Sequence, residues 1–263
     1  MTDQSLNLTI CVVLYRSAEI SRRFAGEISA SLQGYSDWEI IFYDNSPTDE
    51  LADLATFGTY RHDPRNLGFS FANNQAILSA RYTNIALINP DVFGFSADFW
   101  DRLARQALGR SDVRFVKLLN EDGSHQDCVG EVSSLSRAWR SPVDYASLTT
   151  EQPIGMGIMA FMLTTREIFA RVGLLDCDYP LYAEDMDWCF RANRSGIAVL
   201  YDPTFVLTHL GGASANDRWA TYQSLRRKYA AEQVFIDKHY RGLEWLGMRA
   251  LNKIKPAIRA PRT

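Results

Sequence analysis

The densest group of ionisable side chains surrounds position 185, where Glu184, Asp185 and Asp187 fall within four residues at the predicted start of a helix. Acidic residues favour the first turn of a helix because they oppose its dipole, which accounts for one or two of the three. The aromatic residues Tyr182 and Trp188 flank the group. A carboxylate beside aromatic surface is partly desolvated, so its pKa rises and it can act as a general base.

A second candidate is His209, which follows a predicted strand and precedes Gly211 and Gly212. The two glycines would let the backbone approach a ligand closely. A histidine together with a carboxylate also suits a divalent metal ion that keeps open positions for diphosphate oxygens. Single histidines are usually structural, so the residues alone leave both interpretations open.

Three further sets of polar residues follow predicted strands. They are Tyr15-Arg16, Asp44-Asn45 and Asn89-Pro90-Asp91. Each set alone is consistent with an ordinary turn. In an open parallel sheet, however, ligands bind beyond the carboxyl ends of the strands, and the fold would bring all three sets to that edge.

The elements that must position these residues alternate regularly in the first half of the chain. Continuous apolar runs predict buried strands, and apolar residues at every fourth position predict helices with one apolar stripe. The predicted strands are 8–14, 38–43, 84–88 and a short one near Thr59, and the predicted helices are 20–32, one from about Thr48, and 69–81. This order predicts an α/β protein, a Rossmann-like, open and mainly parallel sheet with helices on both faces.

The second half is less regular. Strands are predicted at 113–119, 158–164, 197–201 and 204–208, and helices at 165–172, 184–194 and 216–239, whereas 120–153 is polar and hard to assign. Gly155-Met-Gly157-Ile-Met-Ala160 matches a dinucleotide-binding pattern, but that pattern must follow a buried strand and open a helix. Polar residues and Pro153 precede it here, so these glycines are expected to let a loop pass close to a ligand.

The composition excludes several classes of protein. The 263 residues are 46% hydrophobic and 22% charged, which is typical of a globular chain. The net charge of −3 argues against a dedicated nucleic-acid binder. Apolar runs fall far short of the about 20 residues that a membrane span needs. The N-terminus lacks the features of a secretory signal, and the four cysteines form no Cys-x-x-Cys pair. We therefore expect a cytoplasmic protein without disulfides.

The C-terminal segment differs in charge from the rest. Residues 238–263 contain seven lysines and arginines and one glutamate, a net charge of +6, so residues 1–237 carry −9. Apolar residues from Trp245 to Ile254 recur roughly at helical spacing. The segment is predicted to be a basic amphipathic helix, separate from a domain at 1–237. It either lies on an anionic membrane surface or docks on the domain with a solvated basic face.

Taken together, six blocks resemble the inverting family 2 glycosyltransferases, nucleotide-sugar enzymes with the GT-A fold, and most of all their rhamnosyl- and galactofuranosyl-transferase-like branch. The blocks are Val12–Tyr15, Asp44–Ser46, Asn66–Phe69 with Asn73-Asn74, Leu87–Asp91, Glu184–Arg191 and His209–Ser214. Their order and spacing carry the resemblance. One departure is Arg16, where the family usually has asparagine.

The resemblance implies roles for the matching residues. Tyr15 and Asp44 would line the nucleobase site, with Asp44 accepting a hydrogen bond from the base. Further donor-side residues would be Asn66, Gly68, Asn73, Asn89 and Asp91. Asp91 ends the family's Asp-x-Asp motif, which reads Asn89-Pro90-Asp91 in this chain. With His209 it would bind Mg²⁺ or Mn²⁺ bridging the diphosphate.

On the acceptor side, the resemblance makes Asp185 the catalytic base. Gly157, Glu184, Trp188 and Arg191 would shape the acceptor site. The expected activity is inverting transfer of a sugar, with rhamnose as the first candidate, from a dTDP- or UDP-sugar. The acceptor would be a hydroxyl of a glycan or lipid-linked glycan in bacterial cell-surface polysaccharide synthesis.

Two other functions are weighed against this one. A nucleotidyltransferase would need a glycine-rich basic loop after the first strand, and Tyr15-Arg-Ser-Ala-Glu19 contains no glycine. A catalytically silent module that only binds a nucleotide sugar would not need a base, so the joint presence of Asp91, Asp185 and His209 disfavours it.

Overall fold

A computed structural model describes residues 4–135, 143–179, 181–211 and 221–259 of the chain. Its strands are β1 Gln4–Leu14, β2 Tyr35–Asp44, β3 Thr59–His62, β4 Asn84–Ile88, β5 Val92–Phe93, β6 Val113–Leu119, β7 Val129–Gly130, β8 Gln152–Pro153, β9 Met156–Gly157, β10 Phe161–Thr165 and β11 Val199–His209. Its helices are α1 Ala18–Ser31, α2 Phe69–Ser79, α3 Ala97–Gln106, α4 Arg166–Val172, α5 Glu184–Arg194, α6 Thr221–His239 and α7 Gly242–Arg259.

Nine strands form one mixed, mainly parallel sheet. The order is β3-β2-β1-β4-β10-β6-β11-β5, and β8 pairs separately with β11. Strands β1 to β4 run parallel where they pair, as do β6 and β11, whereas β10, β5 and β8 run antiparallel to their neighbours. All five residues of β4 are buried, because helices cover both faces of the sheet. The predicted α/β fold class is thus confirmed.

A second, smaller apolar cluster joins the start of α5 to the C-terminal helices α6 and α7. Its members are Tyr179, Ala183, Met186, Ala231, Phe235, Ile236, Tyr240 and Met248. They come from the residues before α5, from α5 itself, from α6, from the link between α6 and α7, and from α7. The start of α5 is therefore packed against the C-terminal helix pair.

Three predicted elements differ in the structure. The helix expected from about Thr48 is only a short 3-10 turn at Ala52–Thr56. The two strands expected around Pro203 form the single strand β11, because an irregularity in its pairing with β6 between Asp202 and Val206 accommodates the proline, which has no N–H to donate. The strand expected from Ile158 begins at Phe161. The expected helix positions 216–220 lie outside the described residues.

The C-terminal helix α7 docks through one face. Met248 is buried in the small cluster, and Trp245 and Leu251 pack against it. Helix α6 runs to His239, across the expected boundary at 237/238, and α7 begins at Gly242. Within the described ranges, no helix is long and apolar enough to cross a membrane.

Candidate active site

The polar residues that follow the strands lie at one edge of the sheet. Leu14 at the end of β1 pairs in parallel with Asp44 at the end of β2, and β4 runs parallel to β1 on its other side. The turn after β4 contains Asn89 and Asp91, and β11 ends at His209. The edge is therefore built from the carboxyl ends of parallel strands, where ligands bind in open α/β sheets.

Asp91 and His209 lie next to each other. Strand β5 pairs antiparallel with the end of β11, which places His209 opposite Val92, and Leu210 N–H donates to the Asp91 carbonyl at 3.0 Å. As a result, Asp91 Oδ1 is 3.2 Å from His209 Nε2, and each side chain is 11% exposed. The pairing of β5 with β11, which no sequence pattern predicts, thus brings the predicted pair together.

This pair has the chemistry to hold Mg²⁺ or Mn²⁺. Mn²⁺ binds both carboxylate oxygens and imidazole nitrogens, and Mg²⁺ binds carboxylate oxygens. Within the described residues, no group of three or more His, Cys, Asp or Glu side chains could hold a metal. Two protein ligands would leave the other positions to diphosphate oxygens and water. The site therefore fits a metal bound together with a diphosphate.

The carboxyl pair Glu184 and Asp185 begins helix α5. The chain enters the helix through two consecutive residues with left-handed backbone, Tyr182 (φ 70°) and Ala183 (φ 68°). Such conformations are costly for residues other than glycine and persist where the surrounding structure enforces them. They turn the first residues of α5 so that Asp185 Oδ1 accepts a hydrogen bond from Met186 N–H at 2.7 Å.

Burial sets the acidity of the pair. It raises the pKa of Asp185 to about 6, against smaller lowering effects of backbone hydrogen bonds and of Lys228. Burial and then the charge of Asp185 raise the pKa of Glu184 to about 8. Within the described part of the chain, Glu184 Oε2 is buried without a hydrogen-bond partner. Such an oxygen is costly unless a ligand or proton satisfies it, as expected at a binding site.

Trp188 and Arg191 make contacts that support α5, and their expected role on the acceptor side stays a prediction. Trp188 is fully buried in the main core, and its Nε1–H donates to the Gly173 carbonyl at 2.8 Å. Arg191 donates from Nε to Asp187 and from its other two nitrogens to main-chain carbonyls of 172 and 174. The physical reason is helical spacing: Trp188 and Arg191 are three residues apart, so both side chains lie on the same face of α5, which packs against the segment 172–174.

The donor-side residues have well-defined surroundings. Asp44 is buried and accepts from Ser46 N–H at 2.8 Å and from Tyr60 O–H at 2.6 Å. Its expected contact with a base would be an additional bond and stays a prediction. Asn45 donates to the Gly68 carbonyl at 3.3 Å, and within the described residues its buried Oδ1 has no partner. An acceptor left open at this edge is consistent with a bound ligand.

Other donor-side candidates are placed around the start of α2. Gly68, at φ 99°, precedes the helix in a backbone conformation that favours glycine, and Asn66 is an exposed residue at φ 48°. Asn73 is buried and donates to the Phe69 carbonyl one turn earlier at 3.1 Å. Tyr15 lies half-buried with the Arg16 guanidinium 5.4 Å from its ring centre. Their contacts with a nucleotide stay predictions.

Gly157 is required for packing. A Cβ at this position would lie 2.4 Å from the ring of Phe115 on β6, and one at Gly155 would lie 2.5 Å from the backbone nitrogen of Val132. These glycines therefore allow strand β9 to cross closely over neighbouring elements. The expected place of Gly157 beside a ligand stays a prediction.

Three residues near the site were not identified from the sequence. Gln126 Oε1 lies 2.7 Å from His209 Nδ1. His239 Nε2, at the end of α6, lies 2.6 Å from Asp187 Oδ1. The Lys228 ammonium lies 5.2 Å from the centre of the Tyr182 ring. All three are far along the chain from the residues they contact, and no local pattern marks them. Ser214, the last residue of the His209 block, lies outside the described residues.

The sheet order, with polar residues at the carboxyl ends of its parallel strands, defines the class: the chain has the GT-A fold of glycosyltransferases. It is similar to the mannosyltransferase PcManGT from Pyrobaculum calidifontis in complex with GDP-Man and Mn²⁺, with a TM-score of 0.59 and 15% identity over 97% of this chain and 76% of that one. GalNAc-T7 with UDP, GalNAc and Mn²⁺ gives 0.59 and 13% over 94% and 54% of the chains. S. aureus TarS 1–349 gives 0.55 and 12% over 97% and 72%.

One curated relative is the low-salt glycan biosynthesis hexosyltransferase Agl10 of Haloferax volcanii, which is 22% identical over 204 residues. The alignment covers 73% of this chain and 64% of Agl10, so the chain spans less than two thirds of that relative's length. No family model matches the chain.

Proposed function

We propose that this protein is a glycosyltransferase that moves a sugar from a nucleotide-sugar donor to a hydroxyl group. The observation that carries the proposal is the desolvated carboxyl pair Glu184–Asp185 at the start of α5, with one Glu184 oxygen unpartnered among the described residues, in a protein with the GT-A fold. Support comes from Agl10, whose name gives it as a hexosyltransferase, and from similar structures crystallised with GDP-Man or with UDP and GalNAc.

The chemistry assigned to Asp185 is removal of the proton from the acceptor hydroxyl. A base whose pKa is raised toward neutrality takes that proton more readily than an ordinary carboxylate. Asp91 and His209 would hold Mg²⁺ or Mn²⁺, which when bound neutralises charge on the leaving diphosphate. One base on the acceptor side suits a single in-line displacement, so we propose an inverting reaction.

The finer parts of the proposal concern the substrates. The donor is a dTDP- or UDP-sugar with rhamnose as the first candidate, and the acceptor is a glycan or lipid-linked glycan of the bacterial cell surface. They rest on the six sequence blocks that resemble the rhamnosyl- and galactofuranosyl-transferase-like branch. Donor preference depends on a few pocket contacts and needs direct measurement.

The test is donor binding by calorimetry, followed by turnover. dTDP-rhamnose, UDP-galactofuranose, UDP-GlcNAc and GDP-mannose are titrated with and without Mn²⁺, and the donor that binds is tested for transfer. Asp185→Asn should abolish transfer while leaving donor binding within about threefold. Metal-independent binding would remove Asp91 and His209 from their proposed role. Donor binding without any transfer would favour a silent binding module, and unchanged turnover by Asp185→Asn would remove its role as base.

We also propose that helix α7 contacts an anionic membrane surface, where a lipid-linked acceptor would lie. The face of α7 opposite Met248 exposes three large apolar side chains, Leu243 (86%), Leu246 (59%) and Ile254 (51%). Lys253 is exposed on the same side, in a segment with a net charge of +6. An apolar stripe bordered by basic residues is the pattern of helices that lie in a lipid interface.

Vesicle flotation tests this membrane contact. Leu243→Ser with Leu246→Ser should weaken binding to phosphatidylglycerol-containing vesicles at least about tenfold, because burying one leucine contributes roughly 1.5–3 kcal/mol. Leu78→Ser, at a leucine 67% exposed on α2, is the matched control and should bind normally. Equal binding by the α7 variant would leave α7 a structural helix, and a change in oligomeric state without a change in vesicle binding would make this face a contact between copies.

A further inference from the structure

The side chain of Gln126 is held beside His209 by a chain of hydrogen bonds. Residues 119–125 form a tight hairpin after β6, in which Leu119 bridges His125 and Gln126 N–H donates to the Leu118 carbonyl at 3.0 Å. Gln126 Nε2 donates to Asn120 Oδ1 at 3.0 Å and to the His209 carbonyl at 3.3 Å. Gln126 Oε1 faces His209 Nδ1 at 2.7 Å.

Main-chain groups fix the orientation of both amides. Asn120 Nδ2 contacts the His125 carbonyl at 3.4 Å and Ser124 Oγ at 2.9 Å; a carbonyl can only accept, so the Asn120 nitrogen must face it. Asn120 Oδ1 then faces Gln126, whose nitrogen also meets the His209 carbonyl. Turning the Gln126 amide over would place its oxygen against two other oxygens. The Gln126 oxygen is therefore the group that faces the imidazole.

This orientation determines which imidazole nitrogen carries the proton. An amide oxygen accepts only, so His209 Nδ1 must donate to it, and in a neutral imidazole Nε2 then carries a lone pair. That lone pair faces Asp91 Oδ1, which is also an acceptor, at 3.2 Å. Two acceptors that face each other at this distance repel unless a cation lies against both of them, either a proton on Nε2 or a metal ion beside the pair. The protein thus presents two ligand atoms to the position where a metal would bind.

We propose that Gln126 is a positioning residue that fixes His209 as the Nδ1–H tautomer and so keeps Nε2 available to a divalent cation shared with Asp91. Without Gln126, the tautomer with the proton on Nε2 would be favoured because it can donate a hydrogen bond to Asp91. That hydrogen bond would occupy both ligand atoms. Groups that orient metal-bound histidines in this way commonly change metal affinity about 10- to 100-fold when removed.

Gly211 provides the space that this arrangement needs. Its backbone is left-handed at φ 55°, and a Cβ there would lie 3.1 Å from Gln126 Nε2. A side chain at 211 would therefore press on the amide that orients His209. The glycine after the histidine is thus explained by the positioning of Gln126, a residue more than eighty positions earlier in the chain.

The tautomer can be measured without metal or substrate. In the ¹⁵N-labelled full chain at pH 8, the four histidines give long-range ¹H–¹⁵N correlations, and His209→Asn assigns the His209 signals. We expect His209 as Nδ1–H in the wild type and as Nε2–H in Gln126→Leu. Nε2–H in the wild type, or no change in Gln126→Leu, would overturn the proposal.

Mn²⁺ affinity is the second readout, measured as free Mn²⁺ by electron paramagnetic resonance. Gln126→Leu should weaken Mn²⁺ binding about 10- to 100-fold. Gln152→Leu, at a glutamine that bonds to Thr150 away from the site, is the matched control and should bind as the wild type does.

This inference rests on the metal site of the proposed function, and the two can fail separately. If Asp91→Ala and His209→Ala leave Mn²⁺ binding unchanged, the metal site itself is wrong, and with it the use that we assign to the tautomer. If those variants lose Mn²⁺ and Gln126→Leu does not, the metal site stands and the positioning role of Gln126 is refuted.

Discussion

Replacing Glu184 with glutamine should separate the two ionisations of the carboxyl pair. Burial raises the pKa of Asp185 from its ordinary 3.8 to about 6. Burial, followed by the charge of Asp185, raises the pKa of Glu184 from 4.5 to about 8. Between these values Asp185 is ionised and can accept a proton, whereas Glu184 is protonated and can donate a hydrogen bond to the acceptor. The wild-type rate should therefore pass through a maximum near pH 7.

The acid limb of the pH–rate profile reports the pKa of Asp185, the proposed base. For a base that titrates at about 6, the ionised fraction falls about tenfold between pH 7 and pH 5, and kcat/KM should fall with it. Raising the pKa of Asp185 from 3.8 to about 6 corresponds to roughly 3 kcal/mol in favour of the protonated form. An ordinary carboxylate would instead remain ionised across this whole range, so the position of the limb reports the burial directly.

The alkaline limb of the pH–rate profile reports the ionisation of Glu184. Above about pH 8 its ionisation removes the hydrogen-bond donor and places a second charge beside Asp185, so kcat/KM should fall. Glu184→Gln stays neutral and keeps donor hydrogens, so it should lose this limb and retain the acid limb near 6. The assay is kcat/KM from pH 5 to 9.5 with the donor identified by calorimetry. An acid limb at or below about pH 4.5, or an alkaline limb that persists in Glu184→Gln, would refute the reasoning.

Three further predictions concern stability. Burial makes ionisation of Asp185 unfavourable in the folded protein, and this destabilisation is absent below the unfolded-state pKa of 3.8 and complete above the folded-state pKa of about 6. Asp185→Asn removes the ionisation, so it should stabilise the fold at pH 8 by at most about 3 kcal/mol and should have no such effect at pH 3. Urea unfolding at the two pH values measures the difference. Gly157→Ala should cost at least about 1–3 kcal/mol through its clash with Phe115, while Gly130→Ala on the paired strand, with no described atom within 4 Å of its added Cβ, should cost under about 1 kcal/mol. Trp188→Phe loses one buried hydrogen bond and should cost about 1–2 kcal/mol in unfolding free energy, with acceptor KM unchanged; a raised acceptor KM without destabilisation would instead support the acceptor-side role.

The sequence predicts the sheet edge well because two strong local signals coincide there. Buried parallel strands are continuous apolar runs, and each ends at residues that favour turns. The strand 84–88 and the helix 184–194 have their predicted bounds, and the polar residues after β1, β2 and β4 lie where a parallel sheet must place them. Periodicity and turn chemistry suffice wherever one element decides the position of a side chain.

Other features depend on contacts that are distant in sequence. Helix α3 was not predicted, although Ser96 accepts a hydrogen bond from Phe99 N–H as its N-cap and the aromatic residues that follow form its buried face. Strand β10 lies between β4 and β6 and runs antiparallel to both, which no local pattern in its own sequence indicates. The hairpin that carries Gln126 to His209 lies in the polar stretch 120–153, where neither periodicity nor composition marks an element.

Helix α5 explains why the candidate site was only partly predictable. Its acidic, aromatic-rich sequence marks it as unusual, but the surroundings of each residue determine whether its side chain supports the helix or serves the site. Asp187, one turn into the helix, is almost fully buried and accepts from Arg191 at 2.8 Å and from Tyr179 at 3.3 Å, with His239 Nε2 at 2.6 Å. A buried carboxylate with three partners is a firm anchor, because removing one partner leaves charge uncompensated.

The N-terminal end of the same helix has the opposite character. There the backbone is left-handed at two successive residues, a carboxylate oxygen of Glu184 lacks a partner within the described chain, and the pKa of Asp185 is raised by burial. Each of these features costs stability, and the cost is tolerated because the rest of the helix is fixed through Asp187 and Trp188. A rigid support next to a destabilised pair of acids is the arrangement expected of a general base, since the base must be held in place while remaining ready to take a proton.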